Sequence, residues 1–508
     1  MFSKVKSYGL IGLKGLKIDV EVDINKGIPA FDIVGLPDAA VKESKERVRS
    51  AIKNSGLEFS NHKITVNLAP ANVKKVGANF DLPIAVAILV SSKTLITEKY
   101  KDFIIIGELG LDGGIKSVSG LLPMLISAKA EGYQNFIVPK ANEMEASYIE
   151  GINVYALESL SNVYNFLSGT ENFLAVENRV WNSEKTAKIT EDFARVKGQK
   201  LVKRAVEIAV SGGHNILMVG PPGAGKSMIA KCIPGIMPDL TFDEALEITK
   251  VHSIAGELDL KKGIVTSRPF RSPHHTASTV ALVGGGKEAK PGEVSLASHG
   301  VLFLDELPEY SRSTLETLRQ PLEDGVITVS RASGSYEYPA NFMLVSSMNP
   351  CPCGNYGVKN AVCTCSPNTI QNYLRRISGP LLDRIDLKID VERVAFMEIS
   401  NKVSEEPSSE IKKRVEAARK IQLERFKGTN VLTNAKMTSK MVNEFCKLDA
   451  DCEKLMEMAF EKYKLSARGY TRILKVARTI ADLDGSVDIT SSHLAEALAY
   501  RNSDKFQI

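Results

Sequence analysis

Eight residues carry the clearest chemistry in this 508-residue sequence: Gly220, Pro221, Pro222, Gly223, Ala224, Gly225, Lys226 and Ser227. They fit G-x-x-x-x-G-K-[ST], after the apolar run HNILMV and before MIAKCI, which reads as a helix start. Glycines let the backbone curl so that its N–H groups face phosphates, helped by the N-terminus of the helix that follows. In this pattern Lys226 reaches the β- and γ-phosphates of ATP, and the Ser227 hydroxyl holds Mg²⁺. A second apolar run, VLFLDE at 301–306, ends in two acids. Asp305 is expected to hold Mg²⁺, directly or through water, and Glu306 to position and polarise the attacking water. A third run, FMLVSSMN at 342–349, ends in Asn349, whose amide can bond the γ-phosphate or the water. Alone, an Asn at a strand end only starts a turn; its place after the DE strand favours the functional reading.

Two arginine sites extend the set. PLLDRIDL, 380–387, places Arg384 beside two acids. It is either a surface ion pair, worth little, or an arginine finger offered to a neighbouring subunit's γ-phosphate. SARGYTRILKVARTIADL, 466–483, reads as an amphipathic helix with Arg468, Arg472 and Arg478. Of these, Arg468 is expected to touch the nucleotide from a helical lid.

Four of the seven cysteines, Cys351, Cys353, Cys363 and Cys365, crowd into NPCPCGNYGVKNAVCTCSP just beyond Asn349. Two close pairs of thiolates can close a tetrahedral Zn²⁺ site, with no position left open, so a zinc here is structural. Free thiols or an iron–sulfur cluster are the alternatives. RSPHHTAS, 271–278, holds His274 and His275. On a strand, adjacent histidines point to different sides and seldom share a metal. The segment reads as a loop reaching a pore, with Arg268, Arg271 and Lys287 available to phosphates, or as an insertion packed on the core.

The elements that must hold these residues alternate strand and helix from about 191 to DLKIDV at 386–391. Before them lies an α/β stretch: HKITVNL (62–68) alternates as a strand, DLPIAVAILVSS (81–92) has helix length, and FIIIGELG (103–110) is a strand entering a turn. LLPMLISAKAEGY (121–133) is a helix ending at Gly132, NFIVP (135–139) a strand, and NVYALESLSNVYNFLSG a closing helix stopped by Gly169. Residues 170–190 are polar and aperiodic, a linker. After 392 the chain turns helical, with SSEIKKRVEAARKIQLERFKG (408–428) amphipathic. The expected division is 1–168, a linker at 169–190, an α/β core at 191–395 and a helical unit at 396–508. Net charge is +5, which permits an anionic partner without demanding one. An odd cysteine count, no signal-like start and no apolar run of spanning length point to a cytoplasmic chain that no membrane holds.

GPPGAGKS, LFLDE, MN, LLDR and SARG, in this order before a helical end, resemble the AAA+ ATPases. RPFRSPHHTAS, GEVSLASHGVLFLDELPE, NPCPCG and ARGYTRILKVARTIADL narrow the likeness to the magnesium-chelatase-like ComM/YifB family, over nearly the whole chain. The resemblance implies an AAA+ P-loop core, a C-terminal helical lid and a homo-oligomeric ring, a hexamer, with ATP at subunit interfaces. It also implies action on single-stranded or branched DNA: helicase or branch-migration activity that integrates incoming strands during natural transformation. A chaperone-like ATPase that remodels proteins and a magnesium-chelatase-type motor are the rival readings.

Residues 1–168 resemble the Lon-type proteolytic domain, a ribosomal-S5-like α+β fold. KKVGANFDLPIAVAI places Asn79 where that family carries its nucleophilic serine, and GELGLDGGIKSVSGLLPMLISA places Leu122 at its activating lysine. A Ser–Lys pair works because the lysine removes the hydroxyl proton, and amide and leucine do neither job. The expectation is a binding or assembly module without proteolysis. Its helix DAAVKESKERVRSAIKNSG presents Lys42, Lys45, Arg47, Arg49 and Lys53 either to solvent or to DNA phosphates.

Overall fold

The computed structural model describes residues 1–181, 191–286, 289–331, 334–358, 361–394, 405–463 and 465–501. Lys287, part of the expected linker and the expected boundary at 395/396 lie outside them.

The N-terminal region is built on a seven-stranded mixed sheet, ordered Ala30–Val34, Lys63–Ala69, Lys14–Asn25, Phe2–Ile11, Phe103–Ile105, Asn135–Pro139, Asn153–Leu157. Strands Phe2–Ile11 and Lys14–Asn25 form a long antiparallel hairpin, in register from Phe2↔Asp23 to Ile11↔Lys14. The last three strands run parallel. Helix Asp81–Ser91 is apolar on every side and buried along nearly its whole length, so its strong apolar content reflects a core position and not a span. No helix among the described residues is long and apolar enough to cross a membrane.

Residues 153–168 correct the sequence reading. Asn153–Leu157 is an edge strand, and the helix covers only Leu160–Ser168, opened by Ser159 as N-cap and closed by Gly169 at φ +80°. A short run such as VYAL fits either period, and pairing with Asn135–Pro139 decides it.

The basic helix, Ala39–Asn54, starts at Asp38, whose carboxylate accepts from Val41 N. Lys42, Arg49 and Lys53 are exposed, but Arg47 turns inward and pairs with the fully buried Asp81 at 2.6 Å. It is a core ion pair, not part of a basic face.

The central region carries five parallel strands in the order Phe270–Arg271, Val301–Leu304, Met343–Met348, Ile216–Val219, Leu387–Asp390. The inner strands are buried on both faces, as their continuous apolar runs require. Helix Lys200–Gly212 covers one face; helices Ser408–Arg425 and Ala467–Leu483 pack against it, Ser491–Ala499 packs on Ala467–Leu483, and Ala450–Tyr463 packs on Ser491–Ala499. One hydrophobic cluster runs unbroken from the sheet through Val206 and Ile216 to Ile473, Ile480 and Leu494. The chain is thus an α/β protein with a parallel central sheet and a helical C-terminal end.

The N-terminal region docks on helix Phe242–Ala255 of the centre. Gly120 N donates to Ser253 Oγ (3.0 Å), which donates in turn to Glu145 Oε2 (3.2 Å). Burial pushes the Glu145 carboxyl up to about 7.

Candidate active site

Three neighbouring parallel strands end at one edge of the central sheet, and each delivers a polar residue there. Ile216–Val219 leads into Gly220–Ser227. Gly220 has no room for a Cβ, which would collide with the Val391 carbonyl, and Gly223 and Gly225 sit at φ +77° and +87°. These are positions that glycine fills without strain. Helix Lys226–Cys232 follows at once.

Lys226 is buried. Its Nζ donates to the carbonyls of Gly220 (2.6 Å) and Pro221 (3.0 Å) and to Asn349 Oδ1 (3.2 Å). Burial lowers its pKa, with Asp305 and Glu306 acting the other way. Ser227 Oγ donates to Asp305 Oδ2 at 2.7 Å, and Ser347 Oγ donates to Asp305 Oδ1. Lys226, Ser227, Asp305 and Asn349, read from three separate motifs, therefore meet as two hydrogen-bonded pairs, Lys226–Asn349 and Ser227–Asp305, on adjacent residues of the loop.

Glu306 stands beside it in a left-handed backbone conformation, φ +52° and ψ +48°, with its side chain more than half exposed. A non-glycine residue in that region is uncommon and is held by its surroundings. Here the following turn, Leu307–Glu309, closes with Glu309 N donating to Glu306 O (2.8 Å).

Arg384 is at the opposite edge. It precedes Leu387, which pairs with Ile216 at the start of that strand, whereas the phosphate loop begins after Val219. Asn215 Nδ2 donates to the Arg384 carbonyl at 2.9 Å. Four residues of strand, about 13 Å, therefore separate the Arg384 backbone from its own phosphate loop. Its guanidinium donates to Glu323 and to Pro380 O (2.8 Å), and its Nε is buried without a partner. Arg468, largely exposed, lies 3.8 Å from the same Glu323. Arg468, which the sequence offers as a lid contact to the nucleotide, thus shares a carboxylate with Arg384. Among the described residues no hydrogen bond or ion pair joins either arginine to 220–227. Arg472 pairs with Asp386 at 2.5 Å, and Arg478 is buried on Asp482 at 3.0 Å; both are structural.

The four cysteines converge. Their sulfurs all lie within 4.8 Å of one another, with Cys351–Cys353 at 3.4 Å, Cys353–Cys363 at 3.6 Å and Cys351–Cys363 at 3.7 Å. Tetrahedral zinc with Zn–S near 2.3 Å needs sulfurs ~3.8 Å apart, so this donor set fits. Backbone N–H groups of Asn355 and Thr364 aim at Cys353 and hold its thiol down to about 6. Gly354 rests on the phosphate loop: a Cβ there would come within 2.5 Å of Pro222 Cδ.

Several neighbours of the site were not legible from motifs. Ser347 is one, although SSMN placed a hydroxyl two residues before Asn349. Glu323 is another. The third is His275, whose Nδ1 lies 3.7 Å from Glu306 Oε2 and whose ring meets Tyr310 edge-on. His274 and His275 do not splay apart as on a strand. Strand pairing ends at Arg271, the backbone turns, and the two rings lie side by side with centroids 4.1 Å apart. Arg268 and Arg271 face inward: Arg268 pairs with Glu244 (3.0 Å), and Arg271 with Glu293 (2.6 Å) and Glu257 (2.8 Å). In the N-terminal region Asn79 is buried with its amide on Tyr8 O (3.0 Å), and Leu122 is a core residue.

Family comparisons fit this architecture. The model described as magnesium chelatase, subunit ChlI, matches residues 192–399. Those for subunit ChlI of Mg-chelatase and for the subunit ChlI C-terminal region match 20–142 and 405–501. Competence protein ComM of Haemophilus influenzae is 43% identical across 98% of this chain and 97% of its own length. An uncharacterized protein YifB of Escherichia coli is 43% identical across 100% and 98%. The magnesium-chelatase 38 kDa subunit of Chlorobaculum parvum is 22% identical, over 59% of this chain and 87% of its own. With a glycine-rich loop, a Ser–Asp pair and the Asn349 amide gathered at one sheet edge, and this likeness running end to end, the chain belongs to the ComM/YifB family of magnesium-chelatase-like AAA+ ATPases.

Proposed function

We propose that this protein is a ring-forming ATP hydrolase that drives branch migration or unwinding of DNA. The observation that carries the ATPase half is the meeting of Lys226, Ser227, Asp305 and Asn349 at one sheet edge while Arg384 sits at the other. A protomer so built holds a triphosphate but reaches it with no arginine finger of its own. A neighbouring copy supplies the missing guanidinium, which makes a homo-oligomer, a hexamer, part of the reading. The DNA half is supported by the end-to-end likeness to a protein named for competence. The proposed organisation is 1–168 as an S5-like binding or assembly module, 191–395 as the ATPase core and 396–508 as the helical unit. ATP turnover measured with single-stranded DNA, forked DNA and unfolded protein tests the assignment. Stimulation by unfolded protein alone would overturn the DNA reading in favour of protein remodelling.

In this scheme backbone N–H groups of 220–227 cradle the phosphates, and Lys226 exchanges its carbonyl acceptors for phosphate oxygens. The hydroxyl of Ser227 and the carboxylate of Asp305 form a hard oxygen pair that suits Mg²⁺. When bound, that ion neutralises charge developing on the phosphates. Asn349 ties Lys226 to the end of its strand, and Glu306 takes the proton of the attacking water. Removing the ammonium in Lys226→Ala should weaken nucleotide binding by roughly 10- to 100-fold, since hydrogen bonds to charged groups contribute ~1.5–3 kcal/mol. Equilibrium titration with a fluorescent ATP analogue reads this, and unchanged affinity would remove Lys226 from the site.

The cysteine cluster is proposed to hold a structural zinc, with Cys351, Cys353, Cys363 and Cys365 as ligands. Metal analysis of protein purified without added metal should give about one zinc per chain. Cys351→Ser should lose the metal and unfold at lower temperature. A metal-free wild-type protein of unchanged Tm would refute the assignment.

A further inference from the structure

A cleft of about 430 Å³ opens between residues 308–312 and residues 372–376. Arg312 lines one wall, Arg375 and Arg376 the other, and Glu309 supplies its sole carboxylate. Arg376 donates to Glu309 at 2.8 Å. Among the described residues neither Arg312 nor Arg375 has a carboxylate at ion-pair distance, and both are exposed. Three guanidinium groups against one carboxylate leave the cleft with a net positive charge of two, in a concavity larger than a bare phosphate fills.

Its walls have a telling origin. The first is the chain leaving Glu306, which runs through Leu307–Glu309 to Tyr310, itself fastened by a hydrogen bond from its hydroxyl to Pro273 O (2.6 Å). The second is the chain leaving Asn349. After the cysteine cluster it enters helix Pro367–Leu374, capped by Ser366 directly beyond Cys365. That helix sets Tyr373 against the Asn349 backbone, and Arg375 and Arg376 follow. Whatever occupies the cleft bears on the segments holding both the water-activating carboxylate and the amide sensor.

We infer that this cleft binds backbone phosphate of single-stranded nucleic acid, with Arg312 and Arg375 as its free forks. The inference rests on the DNA-motor reading and assigns it a place on the surface. Arginine forks match phosphate oxygens two at a time, and the exposed Asn372 beside them offers an amide to a sugar or base. An acidic peptide would satisfy the same arginines. The cavity volume, with room for a nucleotide unit around the phosphate, favours the strand.

The test is the binding of a fluorescein-labelled oligothymidylate to the full-length protein, followed by anisotropy across a salt series with a non-hydrolysable ATP analogue present. Each phosphate contact removed takes ~0.7 off the slope of log K against log salt, so Arg312→Ala with Arg375→Ala should flatten it by roughly 1.4 and weaken binding about 10- to 30-fold near 0.1 M salt. Arg312→Lys with Arg375→Lys should keep the slope, which separates lost charge from lost structure. If wild type binds the strand and the double alanine variant binds it equally, at the same slope, the cleft is not the site and the motor reading stands. If wild type binds no strand, both fall.

Discussion

Glu306→Gln should bind ATP and assemble but turn it over ~10²–10⁴-fold more slowly, the range that a lost general base costs. The exchange is nearly isosteric, and the side chain is more than half exposed with no buried partner to strand. Its φ of +52° is a backbone property that glutamine tolerates about as well as glutamate. Binding should survive because the groups that cradle phosphate, Lys226 and Ser227, bond to Asn349 and Asp305 and not to Glu306. Single-turnover hydrolysis with pre-bound ATP isolates the chemical step. A variant that keeps wild-type single-turnover rate would show that another group activates the water.

Arg384→Ala should cost ~10³–10⁵ in turnover, the range for an arginine finger. The loss should appear in kcat at saturating ATP, since the protomer's own phosphate loop is untouched. Part of any effect could come from releasing Glu323, whose carboxyl the Arg384 guanidinium holds below its usual range. Mixing separates the two causes. In a ring assembled from Arg384→Ala and Glu306→Gln protomers, some interfaces pair an intact Glu306 with an intact Arg384. Activity should reappear there although each parent is inactive. A mixture as inactive as its parents, with mixed assembly verified, would end the shared-site scheme.

The motifs that could be read from the sequence were those that end a strand. Lys226, Asp305 and Asn349 each follow an apolar run whose burial fixes where the polar residue emerges, and parallel pairing then brings the three together. Cysteine spacing likewise announced a cluster, and the sulfurs meet. What stayed hidden depends on packing between distant segments. Nothing local to Glu323 marks it as the carboxylate that Arg384 and Arg468 share. His275 gained its place beside Glu306 because Tyr310 anchors the loop from across a gap of 37 residues. Arg47 looked like surface charge because its partner, Asp81, lies on another helix. Asn153–Leu157 looked helical because an edge strand is defined by its neighbour and not by its own five residues.

The placing of Arg384 and Lys226 at opposite ends of adjacent strands has a genetic corollary. In the proposed ring each copy would belong to two reaction chambers, lending a trigger to one and a cradle to the other. A copy without Arg384 would therefore silence its neighbour's chamber, while its own, triggered from the other side, still turns over. Co-expressed with the normal allele, an Arg384→Ala allele should lower ATP turnover in proportion to its share of the copies, and a steeper fall would mean that the chambers fire in concert.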